Sequence, residues 1–254
     1  RRVYTGPPAE DVPGLMTALS ASLSQSAGSA LENSPVSPIV SGAMAHLNLV
    51  MIHPFRDGNG RMARLLQTAI IAQHSAVPAE LASIEEWLGG HTDEYYRVLG
   101  ATGRGAWRPD ADALPWVRFV IRAHHLQAQA IRQRATDAAA RAAFVAGLTD
   151  QHRLNARHAA ALTLALDGDT VTRPAYIDAL RASGIPVDER TATRDLSTLV
   201  ALGLLVAVGD TRGRRYAGSA GLRDGWGAAR PDRQAPADPY PELLATIYAL
   251  PTSG

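Results

Sequence analysis

Residues 53–64 of this 254-residue chain read HPFRDGNGRMAR, a polar loop between two segments with helical spacing. Before the loop, apolar residues recur at helical intervals after Ser37-Pro38, a capping residue followed by proline at the first helical position. His53-Pro54 ends that helix, because the residue before a proline is disfavoured in helical conformation. A second apolar stripe starts at Met62. The pattern predicts two helices joined by a tight, glycine-rich loop.

This loop gathers the groups that bind a nucleoside triphosphate. Gly58 and Gly60 let backbone N–H groups approach an anion, and the positive end of a helix dipole adds to the attraction. Arg61 and Arg64 are three residues apart on one helix, so they can hold two different phosphates. Asp57 supplies one carboxylate, which suits Mg²⁺ because that ion binds one or two carboxylates together with phosphate oxygens.

His53 is the candidate general base of the loop. An unperturbed imidazole has a pKa of about 6.5, so near neutral pH it can accept a proton from an attacking hydroxyl. Taken singly, a Gly-Asn-Gly turn or a histidine before proline usually has no function, and only their co-occurrence indicates a site. Residues 58–63 also fit the dinucleotide fingerprint G-x-G-x-x-A. That motif follows a strand, whereas the preceding segment here has helical spacing, so we reject a Rossmann-type site.

The loop resembles the complete signature of Fic-domain proteins, HPFx(D/E)GNGRxxR. The resemblance extends over about residues 1–135, where YYRVL at 95–99 and PWVRF at 115–119 are also similar to family segments. It implies a Fic-type helical bundle with a small β-hairpin flap. It also implies an enzyme that transfers AMP from ATP to a Ser, Thr or Tyr hydroxyl of a target protein and releases pyrophosphate. Residues Arg1–Thr5 would be the flap that pairs with the target backbone.

The resemblance further implies a role for each residue of the motif. His53 would be the catalytic base, Asp57 the Mg²⁺ ligand and Phe55 a buried anchor that orients the loop. The residues implied to bind ATP are Gly58, Asn59, Gly60, Arg61, Arg64, Tyr95 and Tyr96. Of these, the two tyrosines would border the adenine pocket, although an aromatic pair on a helix is more often part of a core.

Two features depart from the family pattern. Gly103 stands where many relatives carry an amide side chain that contacts the nucleotide. The self-inhibitory motif (S/T)xxxE(G/N), whose glutamate pairs in the family with the second arginine, here Arg64, does not occur in the sequence. We expect that glutamate to lie upstream of this chain, which would leave the fragment derepressed.

We expect a Fic domain over residues 1–135. The sequence after it predicts a helical connector over 136–152, a winged-helix domain over 153–219 and a loosely structured tail over 220–254. The winged-helix prediction rests on three helical segments followed by a short hairpin. Arg190 and Arg194 lie one turn apart on its third helix, but acidic neighbours nearly balance the local charge. Contact with DNA and a protein-docking role, including a homodimer, therefore both stay open.

Composition bounds the remaining alternatives. Cysteine is absent, the sequence has 25 basic and 24 acidic residues, and no apolar run reaches the length of a membrane span. We therefore expect a mainly α-helical cytoplasmic protein without a membrane partner. A Fic-type phosphotransferase is disfavoured, because such relatives carry lysine where this chain has Gly60. A DNA-binding regulator whose Fic unit senses nucleotide is the other alternative.

Overall fold

The computed structural model describes residues 4–28, 37–73, 78–168, 170–210 and 213–249. In chain order the elements are α1 (Val12–Gly28), α2 (Pro38–Ile52), α3 (Asn59–Gln73), α4 (Ala79–Ala82), α5 (Glu85–Gly90), α6 (Thr92–Gly103), α7 (Leu114–His152), α8 (Ala156–Asp167), β1 (Val171–Thr172), α9 (Arg173–Ala182), α10 (Glu189–Ala201), β2 (Leu205–Val208), β3 (Arg215–Gly218), α11 (Ala220–Ala229) and α12 (Leu243–Ala249). The predicted mainly helical fold is confirmed. None of the helices in the described ranges has the length and hydropathy that a membrane span requires.

The chain divides into two compact units. Unit 1 comprises residues 1–131 and 235–254, and unit 2 comprises residues 132–234. The boundary falls inside α7, which is one continuous helix where the sequence suggested a bundle helix and a separate connector. Its alanine- and arginine-rich middle explains the continuity, because both residue types favour helix.

Helix α2 is the central helix of unit 1, and most of its residues are buried. Its predicted start is confirmed, since the Ser37 side chain accepts a hydrogen bond from the backbone N–H of Ile39. Gly42 allows α3 to approach closely, because a Cβ at this position would lie 3.2 Å from the carbonyl oxygen of Gln67. The tight packing of α2 against α3 fixes both ends of the polar loop between them.

The N-terminal segment forms an isolated parallel bridge rather than a hairpin. The Thr5 N–H donates to the Gly105 carbonyl at 3.0 Å, and the Thr5 carbonyl accepts from the Trp107 N–H at 2.8 Å. Pairing cannot extend through Pro7, which has no N–H to donate. The expected β-hairpin flap is therefore not seen in the described part of unit 1, although residues 1–3 of that expectation lie outside the described residues.

The C-terminal segment is more ordered than its composition suggests. Helix α11 lies within unit 2 and is capped at its N-terminus by Ser219, whose side chain accepts a hydrogen bond from the Leu222 N–H at 3.1 Å. Residues 235–249 belong to unit 1, where Leu243 and Ile247 join the buried core. The expectation of a loose tail over 220–254 thus differs from the structure, because glycine and proline content carries no information about these long-range apolar contacts.

Polar contacts also hold residues 235–249 against the rest of unit 1. Buried Arg122 donates from Nε to Asp238 at 2.7 Å and from NH1 to Glu94 at 3.1 Å. The guanidinium of Arg97 lies over the Tyr248 ring, 4.4 Å from its centroid. A buried cation with two carboxylate partners is a strong restraint, because removal of the cation would leave both carboxylates without compensation.

Unit 2 packs α8, α9 and α10 beside a three-stranded antiparallel sheet with the order β1-β3-β2. Its core contains a buried carboxylate, Asp195, to which Arg157 donates from Nε at 2.7 Å and from NH2 at 3.1 Å. The Tyr176 hydroxyl donates to the same carboxylate at 3.1 Å. Burial opposes ionisation of Asp195, but the hydrogen bonds and positive charge of its neighbours, Arg157 first among them, together outweigh it, so the pKa of Asp195 is lowered. The carboxylate is thus ionised, and its charge is balanced by Arg157 inside the unit.

Candidate nucleotide site

The side chain of Asn59 closes the polar loop. This residue is buried, its Oδ1 accepts the Phe55 N–H at 3.0 Å, and its Nδ2 donates to the Phe55 carbonyl at 2.6 Å. Both polar groups of the Asn59 side chain are therefore used within the loop. Its backbone N–H, at the first position of α3, is available to the anion site that the sequence predicts.

Gly58 turns the chain into α3. Its φ of +86° lies in the left-handed region that glycine adopts without strain. The first backbone hydrogen bond of the helix runs from the Met62 N–H to the Gly58 carbonyl at 2.9 Å. The N–H groups of Asn59, Gly60 and Arg61 therefore lack an acceptor within the helix. Such groups at a helix N-terminus attract phosphate.

His53 lies at the C-terminal cap of α2, exposed to solvent, with left-handed backbone angles of φ 53° and ψ 53°. Its Nδ1 is 3.2 Å from the Val50 carbonyl oxygen. A carbonyl can only accept, so Nδ1 carries the hydrogen and Nε2 keeps its lone pair. The imidazole is thus held in the tautomer that can accept a proton at Nε2.

Asp57 in the loop and Arg61 in the first turn of α3 form an ion pair, with Arg61 NH2 3.2 Å from Asp57 Oδ2. The Asp57 side chain is 91% exposed. Its other carboxylate oxygen lies outside this pair. Across the described ranges, no cluster of three or more metal-binding His, Asp or Glu residues occurs. A cation at Asp57 would therefore need most of its ligands from the substrate and water.

Arg64 is held from two directions. Its Nε forms an ion pair with Glu85, and its NH1 group and the Tyr95 hydroxyl both lie beside Gly60. Burial opposes the charge on Arg64, but the hydrogen bond and charge of Glu85 outweigh it, so the pKa of Arg64 is raised. Its NH1 lies 3.4 Å from where a Cβ on Gly60 would be. Sequence reasoning missed Glu85, which is 21 residues away and carries no local signal.

The expected burial of Phe55 is wrong, because its side chain is 45% exposed. The loop is oriented through the Phe55 backbone, which Asn59 holds from both sides, and not through the aromatic ring. Gly103 is buried against α2, where a Cβ would come within 2.8 Å of Met51 Cε. A larger residue at position 103 would therefore require the Met51 side chain to change its conformation.

The two adjacent tyrosines of α6 lie in different environments. Tyr95 is only 4% exposed, and its hydroxyl is 3.0 Å from Nε2 of the buried His46. Burial raises the pKa of Tyr95 to about 12. Tyr96 is 63% exposed. Of the pair that the sequence assigns to adenine binding, only Tyr96 therefore presents its ring to solvent, whereas the Tyr95 hydroxyl lies near Gly60.

Comparison with known proteins finds similarity to proteins named adenylyltransferases. Protein adenylyltransferase Fic of Nematostella vectensis is 40% identical over 85 residues, which cover 34% of this chain and 17% of that protein. Protein adenylyltransferase fic-1 of Caenorhabditis elegans is 38% identical over 87 residues, which cover 34% of this chain and 15% of that protein. The chain thus spans less than a fifth of the length of these curated relatives.

A crystal structure of a Fic family protein from Desulfovibrio desulfuricans G20 aligns with a TM-score of 0.42 and 26% identity, over 85% of this chain and 57% of that chain. The sequence model of the Fic/DOC family matches residues 1–71, a range that contains His53, the loop and nearly all of α3. Residues 1–71 are therefore similar to the Fic/DOC family.

Proposed function

We propose that this chain is a protein adenylyltransferase, which transfers AMP from ATP to a Ser, Thr or Tyr hydroxyl of a target protein. The observation that carries the proposal is the His53 tautomer, because it leaves Nε2 as a base at the start of the loop that leads into a helix N-terminus suited to phosphate. The two curated relatives named above, both called protein adenylyltransferase, support the same reaction.

In the proposed reaction, Nε2 of His53 takes the proton of the acceptor hydroxyl. The hydroxyl oxygen then bonds to the α-phosphorus of ATP, the bond from that phosphorus to the α–β bridging oxygen breaks, and pyrophosphate leaves. The N–H groups at the start of α3 bind phosphate oxygens, and Arg61 and Arg64 neutralise the charge that develops on the leaving group. Positioning and charge neutralisation together supply the rate enhancement.

Asp57 is the residue that would hold Mg²⁺. Its exposed carboxylate fits such a role, since Mg²⁺ retains several waters and commonly binds one or two carboxylates plus substrate phosphates. The ion, when bound, would offset the negative charge on the phosphates. Arg61, which pairs with Asp57, lies close enough to contribute a second positive group to the same phosphates.

Transfer from isotopically labelled ATP tests this function. Label from the α-phosphate should be retained on protein, label from the γ-phosphate should not, and His53→Ala should abolish retention. His125→Ala is the matched control, because this histidine is also exposed in unit 1 but lies outside the proposed machinery. Retention of γ-label would instead identify a phosphotransferase, and retention of neither label by the wild type would refute the proposal.

We also infer that residues 153–219 form a winged-helix domain. The inference is supported by the order α8, β1, α9, α10, β2, β3 and by the pairing of β2 with β3 as a hairpin. Residues 211 and 212 of the expected wing, including Arg212, lie outside the described residues. In this inference α10 is the recognition helix and the β2–β3 connection is the wing.

The exposed face of α10 favours duplex DNA over a protein as the partner of unit 2. Arg190 and Arg194 are exposed and line a shallow concavity. Asp195, one of the acidic residues that balance them in sequence, is buried and paired with Arg157. The concavity itself is lined by three arginines, including Arg173, and by one acidic residue, Glu189, so its charged lining is mainly basic.

Duplex binding measured at several salt concentrations tests this second function. Arg190→Gln combined with Arg194→Gln should weaken binding and reduce its salt dependence by about two counterions. Arg181→Gln, which removes an exposed arginine of α9 that pairs with Asp178, should leave binding unchanged. Equal binding by the double variant and the wild type would exclude α10 as the DNA contact.

A further inference from the structure

A series of polar side chains leads from Arg64 into the core of unit 1. The Tyr95 hydroxyl is 3.0 Å from His46 Nε2, and His46 Nδ1 is 2.7 Å from Gln67 Oε1. Gln67 Nε2 is in turn 3.0 Å from His124 Nε2. Buried polar groups cost free energy unless each one finds a partner, and they contribute less to packing than apolar residues of the same size. Their presence between α2, α3, α6 and α7 therefore calls for an explanation.

Donor and acceptor chemistry fixes the direction of every bond in the series. The Gln67 Oε1 can only accept, so the neutral His46 keeps its lone pair on Nε2, and the Tyr95 hydroxyl hydrogen points to that nitrogen and leaves the Tyr95 oxygen free to accept from the Arg64 side. His46 must then carry its hydrogen on Nδ1 and donate to Gln67 Oε1, which leaves the Gln67 amide nitrogen to donate to His124 Nε2. In the reverse arrangement the Tyr95 hydrogen would have no acceptor.

We propose that Tyr95 is a positioning residue that holds the Arg64 guanidinium beside Gly60, and that His46 sets the direction of the Tyr95 hydroxyl. A Cβ on Gly60 would lie 3.4 Å from Arg64 NH1 and 3.9 Å from the Tyr95 hydroxyl, so both groups converge on the second residue of α3. Glu85 binds the Nε of the same guanidinium. Two separate partners restrict a planar guanidinium far more than one does.

This proposal gives Tyr95 a role through Arg64 in place of the adenine contact that the family resemblance implies. It rests on the proposed function only in assuming that Arg64 binds the outer phosphates of the nucleotide. The titration behaviour agrees with the fixed bond directions, since burial lowers the pKa of His46 to about 4 and raises the pKa of Tyr95 to about 12. Both side chains are therefore neutral near pH 7.

The first test measures the orientation of Arg64 without any reaction. In nucleotide-free protein labelled with ¹⁵N, relaxation of the Arg64 Nε–H group reports its order parameter, and Arg64→Lys assigns the signal. Tyr95→Phe removes only the hydroxyl and should lower this order parameter by roughly a third. Tyr176→Phe is the matched control, because it removes a buried hydroxyl from unit 2. An unchanged Arg64 signal in Tyr95→Phe overturns the proposal.

The second test separates positioning from a loss of folded protein. With α-labelled ATP, Tyr95→Phe should raise KM for ATP about tenfold, the effect of losing one hydrogen bond to a charged group, and leave kcat within about threefold. Loss of folded enzyme would lower kcat at constant KM, and that result contradicts the proposal. If the wild type transfers no AMP, the proposed function fails, and the Arg64 relaxation measurement still decides the role of Tyr95.

Discussion

His46 should make unit 1 lose stability as the pH falls below about 6.5. The side chain is fully buried, and desolvation, the main cause, lowers its pKa from 6.5 to about 4, with the nearby charge of Arg64 acting in the same direction. The hydrogen bond to Gln67 opposes this shift only in part. Between these two pKa values the unfolded chain binds a proton at His46 that the folded protein excludes.

The magnitude follows from the two pKa values. The stabilisation is complete above pH 6.5, where the histidine is neutral in both states, and is lost as the pH falls toward about 4. From pH 7 to pH 5 the shift costs about 2 kcal/mol, and its limit at lower pH is about 3 kcal/mol. His124, whose pKa burial also lowers to about 4, contributes a loss of the same sign.

Urea unfolding followed by tryptophan fluorescence can measure this loss in unit 1 alone. Three of the four tryptophans, Trp87, Trp107 and Trp116, lie in unit 1. In a Trp226→Phe background the signal therefore reports only that unit. The free energy of unfolding should fall by about 1 kcal/mol per pH unit for each titrating histidine between pH 6 and pH 5.

Two variants identify the histidine responsible. His46→Gln removes one titrating group, so its stability should depend less steeply on pH over this interval, whatever its stability at pH 7. His125→Gln removes an exposed histidine and should leave the pH profile of the parent unchanged. A His46→Gln profile parallel to the parent profile would show that His46 is not held neutral, and the directional bond series assigned to it would then fail.

Three further predictions concern the loop and the C-terminal segment. Arg122→Met leaves Glu94 and Asp238 without their cation and should lower the free energy of unfolding of unit 1 by about 3 kcal/mol in urea. Proteolysis after residue 230 should also become faster. An unchanged urea midpoint would contradict this prediction. Asn59→Ala deletes both loop-closing hydrogen bonds, so it should cost about 2 kcal/mol and reduce AMP transfer even when the protein is fully folded, as circular dichroism would check. Gly58→Ala places an L side chain at a φ of +86° and should lower the free energy of unfolding by about 1 kcal/mol in the same assay. A variant as stable as the parent would show that the turn changes its backbone conformation.

Local signals in the sequence predicted the elements that frame the site. A capping serine before proline marked the start of α2, and the residue before Pro54 marked its end. Each of these effects involves only neighbours within one helical turn, so the chemistry of a few residues decides the outcome. The glycine-rich turn belongs to the same class, because the left-handed φ of Gly58 is a property of one residue.

The partners of Arg64 could not be predicted in the same way. Glu85 and Tyr95 reach it from α5 and α6, and nothing in their own neighbours distinguishes them from other surface acids or aromatic residues. Such contacts depend on how helices pack. The same reason explains Asp195, which counts as a surface charge in the sequence but is buried against Arg157 in unit 2.

Tyr95 and Tyr96 show where sequence information ends. Helical geometry turns adjacent residues by about 100°, so the sequence requires the two rings to point in different directions but cannot say which one faces the core. The structure places Tyr95 in the apolar core of unit 1, where His46 on α2 offers an acceptor to its hydroxyl. Because the same hydroxyl lies beside the Arg64 guanidinium at Gly60, the proposed role of Tyr95 makes the position of Arg64 depend on the packing of α6 against α2. A substitution in the core of unit 1 can therefore alter nucleotide binding without touching any residue of the loop.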